Sequence, residues 1–143
     1  MRGGCAPRTS SSAAGQGVDL LGSCDVIAFT AAADLSRARV FYEQTLGLPL
    51  VSQDDFACVF NANGTMLRVT AVPHVSRAGY TVLGWRVRDI EEAVRGLAAR
   101  GVVFQRHDGM DQDEHGIWTA PGGGRIAWFA DPDGNTLSLT QFP

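Results

Sequence analysis

Residues 25–30 are a short, mostly apolar run that reads as a strand, after which apolar residues switch to helical spacing at Leu35, Ala38, Phe41 and Tyr42. A period of two marks a strand with unlike faces, and a period near 3.6 marks a helix with one apolar side. The same grammar returns downstream. Residues 80–87 read as a strand, and Ile90, Val94 and Leu97 share one face of a second helix. Each helix opens on an aspartate, Asp34 or Asp89, whose carboxylate can accept a hydrogen bond from a free first-turn amide. Each closes at a glycine, Gly47 or Gly101, suited to the left-handed conformation. Glu92 completes a capping-box pattern with Asp89.

Three strand-like segments follow each helix: 48–52, 56–61 and 65–72 in the first half, then 102–107, 125–130 and 136–142 in the second. Asn63-Gly64 predicts a tight hairpin, and Asp131-Pro132-Asp133-Gly134-Asn135 predicts a turn that accounts for both of its aspartates. The chain therefore reads as βαβββ written twice, with modules at 24–73 and 80–143 in one α+β domain. Residues 73–79 form the linker, where His74 is expected at the surface. Residues 1–23, rich in Ser, Gly and Ala, are expected to be a loosely ordered extension without a secretory-type apolar stretch.

Within the strands, alternation assigns faces. Leu67, Val69, Leu83, Trp85, Val87, Leu137 and Leu139 are apolar at period two and should pack under the helices. Their neighbours Met66, Arg68, Thr70, Val82, Gly84, Arg86, Thr136, Ser138 and Thr140 then share the opposite face. Trp85 and Trp128 are expected in the core, whereas Trp118, beside an acidic loop, reads as the wall of a pocket.

Composition narrows the function. A chain of 143 residues, 45% hydrophobic, can bury a core of its own. No apolar run approaches the roughly 20 residues of a membrane span, and a net charge of −3 speaks against a nucleic-acid backbone as partner. All 12 basic residues are arginine, so Schiff-base and phosphate-loop lysines are excluded. Cys5, Cys24 and Cys58 are odd in number without metal-type spacing, and Cys58 reads as a buried free thiol, which together imply a reducing cytoplasm.

Two stretches carry a resemblance. They are Asp34-Leu35-Ser36-Arg37-Ala38-Arg39-Val40-Phe41-Tyr42 followed by Thr45-Leu46-Gly47-Leu48, and Phe129-Ala130-Asp131-Pro132-Asp133-Gly134-Asn135-Thr136-Leu137. With them residues 25–142 resemble the vicinal oxygen chelate superfamily of glyoxalases, bleomycin-resistance proteins and ring-cleaving dioxygenases. Residues 63–69, 83–85, 111–114 and 116–118 look like a bacterial, glyoxalase-like branch of it. The resemblance implies a curved, cup-like mixed sheet, a homodimer, and Ile27 and Phe29 on the face opposite the helices. It also implies that any family metal would be held at Ile27, Arg68, Val82 and Ser138. Two hydrocarbons, a guanidinium and a hydroxyl make a poor donor set, so no metal and no cofactor are expected.

The mixed face of Ile27, Phe29, Met66, Val82, Arg68, Ser138 and the Trp118 wall suits a small organic ligand with an apolar body and an anionic or carbonyl group. Arg68 would either grip that group through paired hydrogen bonds or form an ion pair with Asp113 or Glu114. His107, Asp113 and Glu114, in the densest group of titratable residues, are candidate general bases, while the same segment also reads as a solvated loop or a separate metal site. The function these features imply is metal-independent small-molecule binding, with sequestration of a drug or metabolite as one form of it. The alternative is a metal-free lyase or isomerase moving a proton on a carbonyl or aromatic acid substrate.

Overall fold

A computed structural model describes residues 20–143. The first module comprises β1 (Ile27–Ala32), α1 (Leu35–Arg39) continued by a π-helical stretch (Val40–Thr45), β2 (Leu50–Gln53), β3 (Ala57–Ala62) and β4 (Thr65–Ala71). The second comprises β5 (Leu83–Arg86), α2 (Ile90–Ala99), β6 (Trp118–Thr119), β7 (Arg125–Ala130) and β8 (Thr136–Gln141). Each module forms its own four-stranded mixed sheet, ordered β1-β4-β3-β2 and β5-β8-β7-β6, and the two sheets do not close on one another. In both, the first and last strands pair in parallel and the rest antiparallel.

The local signals act as their chemistry dictates. Asp34 accepts from the Arg37 amide at 3.2 Å and Asp89 from the Glu92 amide at 3.1 Å. Asn63 and Gly64 both take positive φ, 52° and 94°, as a two-residue hairpin with matching twist requires. The expected continuous α-helix from 35 to 46 is instead widened after Arg39, where the Leu46 amide reaches back to the Phe41 carbonyl. Phe41 and Tyr42 both join the packing of the core, their rings in edge contact at 5.2 Å.

One strand differs from expectation. Residues 102–107 form no ladder strand; only the Gln105 amide reaches β7, at the Trp128 carbonyl. Gln112 takes over the remaining polar groups. Its amide nitrogen donates to the Gln105 and Gly116 carbonyls and its oxygen accepts from the His107 amide. The edge strand of this sheet is therefore the short β6, reached after an excursion over 106–117.

A single apolar cluster joins the modules. Leu67, Val69, Leu137 and Leu139 are buried in it and Leu83, Trp85 and Val87 pack against it. Its polar counterpart is a cross-link between motifs far apart in sequence. The Tyr42 hydroxyl donates to Asp131 Oδ2 at 2.7 Å, and the Asn135 side-chain amide donates to the same oxygen and to the Ala31 carbonyl. Asp133 accepts from the Ala33 amide and pairs with Arg37 at 3.2 Å. The turn aspartates thus do more than shape a turn: they bolt the second module to β1 and α1 of the first.

Burial, then the adjacent negative charge of Asp131, holds the Tyr42 phenol far above its ordinary pKa. A raised folded-state pKa gives stability that is complete below the unfolded-state value of about 10 and lost as pH rises beyond it. Thermal denaturation between pH 9 and 11 should therefore show a steeper fall in Tm for the wild type than for Tyr42→Phe. Parallel curves would dismiss this coupling.

Cys58 is buried and free, its thiol pushed up mainly by burial, while Cys24 is disulfide-bonded, which the expectation of reduced thiols did not include. Among the described residues no helix is long and apolar enough to cross a membrane. The extension expected at 1–23 falls, for residues 1–19, outside the described residues.

Candidate functional site

Lateral neighbours in a sheet point to the same side, so strand register decides which side chains share the face away from the helices. In the first sheet Ile27 lies beside Met66, and Phe29 beside Arg68, which is flanked on its other side by Val59. In the second, Ser138 lies between Gly84 and Trp128, and Trp118 lies beside Ile126. Val82 enters just before β5, its amide donating to the Thr136 carbonyl at 2.9 Å. Register thus sets these residues on one side of their own sheets without gathering them: of the anticipated set Phe29 and Val82 line a hollow at the seam, Ser138 is buried, and Arg86 lines a hollow on the helix side.

Two shallow hollows follow the face. One of about 350 Å³ spans the seam between the sheets and is lined by Phe29, Ala31, Thr70, Val82 and Asn135. The other, of about 390 Å³, is lined by Tyr80, Thr81, His107, Met110, Trp128 and Thr136. Val82 and Asn135 of the first directly follow and precede Thr81 and Thr136 of the second, so the two are neighbours. Phe29 is 58% exposed, a large ring that packing alone would have buried. On β5, Gly84 lets the buried Ser138 side chain of β8 sit close, since a Cβ there would stand 2.9 Å from Ser138 Oγ.

Trp128 departs from its expected place in the core. It is half-buried on this face, with the His107 ring perpendicular to it at 5.1 Å and Trp118 at 6.2 Å. The sequence does carry the signal: with Ala127 and Phe129 facing the core, period two sends Trp128 the other way. Trp85 does belong to the core side, stacked on Phe129 at 6.5 Å.

Arg68 is half-buried, and among the described residues no hydrogen bond or ion pair joins it to Asp113 or Glu114. Its field is felt by Asp54, whose carboxyl is held below the usual range first by the Phe56 and Ala57 amides, with Arg68 a lesser cause. Asp113 is committed elsewhere: its Oδ1 accepts from the His115 amide at 2.8 Å and the Ile117 amide at 2.9 Å, closing the loop before β6. Glu114 is exposed on that loop. Of the three candidate bases, His107 is the one packed against a residue of the face.

At the positions where the resemblance would place metal ligands stand Ile27, Arg68, Val82 and Ser138. Hydrocarbons cannot coordinate, a guanidinium repels a cation, and a lone hydroxyl is weak, so these residues do not fit a divalent ion. Among the described residues no three His, Cys, Asp or Glu side chains gather into a cation-binding group.

A family model described as "Glyoxalase/Bleomycin resistance protein/Dioxygenase superfamily" matches residues 26–139. Solved structures share the fold at low identity. A glyoxalase/bleomycin resistance protein/dioxygenase from Alicyclobacillus acidocaldarius is 18% identical with a TM-score of 0.63, covering 82% of this chain and 90% of its own. The genomically encoded fosfomycin resistance protein FosX from Listeria monocytogenes is 14% identical with a TM-score of 0.64, covering 82% and 92%. TnmS3, an antibiotic binding protein from Streptomyces sp. CB03234, is 24% identical with a TM-score of 0.59, covering 83% and 97%. No curated protein matches.

Proposed function

The chain belongs to the glyoxalase/bleomycin resistance protein/dioxygenase superfamily, and from that premise we propose that it binds a small organic molecule on its helix-free face without a metal. The observation that carries this reading is the make-up of that face. Phe29, Val82 and the Trp118–Trp128 pair offer apolar and aromatic surface, and Arg68 offers a guanidinium with no carboxylate bound to it among the described residues. A flat ring would lie against the tryptophans, and a carboxylate or enolate oxygen would take the forked donors of Arg68. Arg68 and the tryptophans stand on different sheets and Arg68 lines neither hollow, so a ligand touching both would have to be long enough to cross the seam. The antibiotic-binding and resistance proteins among the structural neighbours are compatible with such a role.

Native mass spectrometry of freshly purified protein, alongside a metal assay, tests this proposal. An organic mass carried by the chain supports it, and one stoichiometric divalent ion per chain overturns its metal-free part.

A second reading, proton transfer on a carbonyl substrate, has one observation in its favour: the His107 ring lies against Trp128 and lines the adjoining hollow. There His107 would take the proton, whereas Arg68, the residue named for the developing oxyanion, does not line that hollow. His107→Gln should then abolish turnover while ligand affinity survives; in a binding protein the same variant has no turnover to lose. A homodimer is part of the proposal, since Val26, Phe56 and Val103 leave apolar surface open to solvent. Sedimentation at the mass of one chain would remove that part.

A further inference from the structure

An apolar hollow lies on the other side of the second sheet. It measures about 350 Å³, with Trp85, Phe129 and Leu139 on its floor and Leu46 and Leu97 at its sides. A second hollow of about 340 Å³ continues between the π-helical stretch and residues 100–103, and Arg100 lines both. We propose that this trench is a second ligand site, distinct from the helix-free face, for an amphiphile with an apolar body and one anionic head.

Of the two arginines lining the first hollow, Arg86 stacks on the Phe142 ring at 5.1 Å, and Arg100 supplies the head contact. Its Nη1 donates to the Thr45 and Gln44 carbonyls at 3.0 and 3.4 Å, which fixes the guanidinium across the trench. The Nη2 and Nε donors have no acceptor among the described residues. Asp131 lines the second hollow, but its carboxylate makes no ion pair with Arg100 and accepts from Tyr42 and Asn135, so the head belongs at the Trp85 end. A pinned, uncompensated guanidinium beside an apolar trench recognises a carboxylate or sulfonate attached to a hydrocarbon. Gly96 supplies the room. It sits inside α2 on the trench wall, where a glycine weakens a helix, and a Cβ at that position would meet nothing within 4 Å. Its missing side chain leaves open space that leucine would fill.

Calorimetric titration with decanoate tests the site. Wild type and Arg68→Gln should bind one decanoate per chain with similar Kd, and Arg100→Gln should bind it about tenfold more weakly. Gly96→Leu should bind at least about tenfold more weakly, yet unfold at or above the wild-type temperature because it gains a better helix former. Absence of binding to the wild type overturns the proposal, as does undiminished binding to Gly96→Leu. A loss confined to Arg68→Gln would place decanoate on the other face and also overturn it. A halved sedimentation mass for Gly96→Leu would make the trench a contact between copies of the chain, which likewise rules out a ligand site there.

Discussion

Asp131→Ala is expected to lower the unfolding free energy by about 4 kcal/mol, at the extreme of single substitutions. Four donors converge on this carboxylate: the Tyr42 hydroxyl, the Asp133 and Asn135 amides and the Asn135 side chain. In the turn, water can replace part of what is lost. At Tyr42, which has no exposed surface, it cannot, and a buried hydroxyl stripped of its acceptor costs about 1–3 kcal/mol by itself. Small domains hold only about 5–15 kcal/mol, so the variant should lie near the edge of folding at about 37 °C. Urea denaturation followed by circular dichroism gives the number. A loss under about 1 kcal/mol would mean that the Asp131 contacts add little to the joining of the modules.

Arg68→Gln is expected to weaken binding of a carboxylate ligand by about 10- to 100-fold, the worth of charge-assisted hydrogen bonds in a partly enclosed site. A neutral amide analogue of the same ligand should be bound about equally by both proteins, because ring contacts with Trp118 and Trp128 are untouched. Stability should hardly change, since no ion pair among the described residues depends on Arg68. Titration of tryptophan fluorescence with naphthoate and naphthamide is a direct measurement. Equal losses for acid and amide would assign Arg68 a steric role in place of an electrostatic one.

Much of this architecture is legible in the chain because its signals are local or periodic. Asp34, Asp89, Gly47, Gly101 and Asn63-Gly64 each act within a few residues, and period two places Leu67, Val69, Leu137 and Leu139 inward without reference to any partner. What escapes depends on distant atoms. Gln112 looks like one polar residue among many, yet its amide replaces a strand ladder by bonding groups at 105, 107 and 116. Trp128 misleads for a different reason: its bulk suggests core, although its register position opposes that. The π-helical widening after Arg39 has no mark in the sequence that we recognise. The aspartates at 131 and 133 read as turn residues, because nothing in the sequence shows that Tyr42 and the Ala33 amide lie opposite them.

The Tyr42–Asp131 contact joins residues 89 positions apart, and this sets an order of events during synthesis. When the first repeat leaves the ribosome, its phenol has no acceptor and the inner ends of β1 and α1 have nothing to close against. They wait until residues 131–135 have followed. Until then Leu67 and Val69 lack Leu137 and Leu139, the second-module residues that share their apolar cluster. The repeated βαβββ pattern has here given two halves of one core.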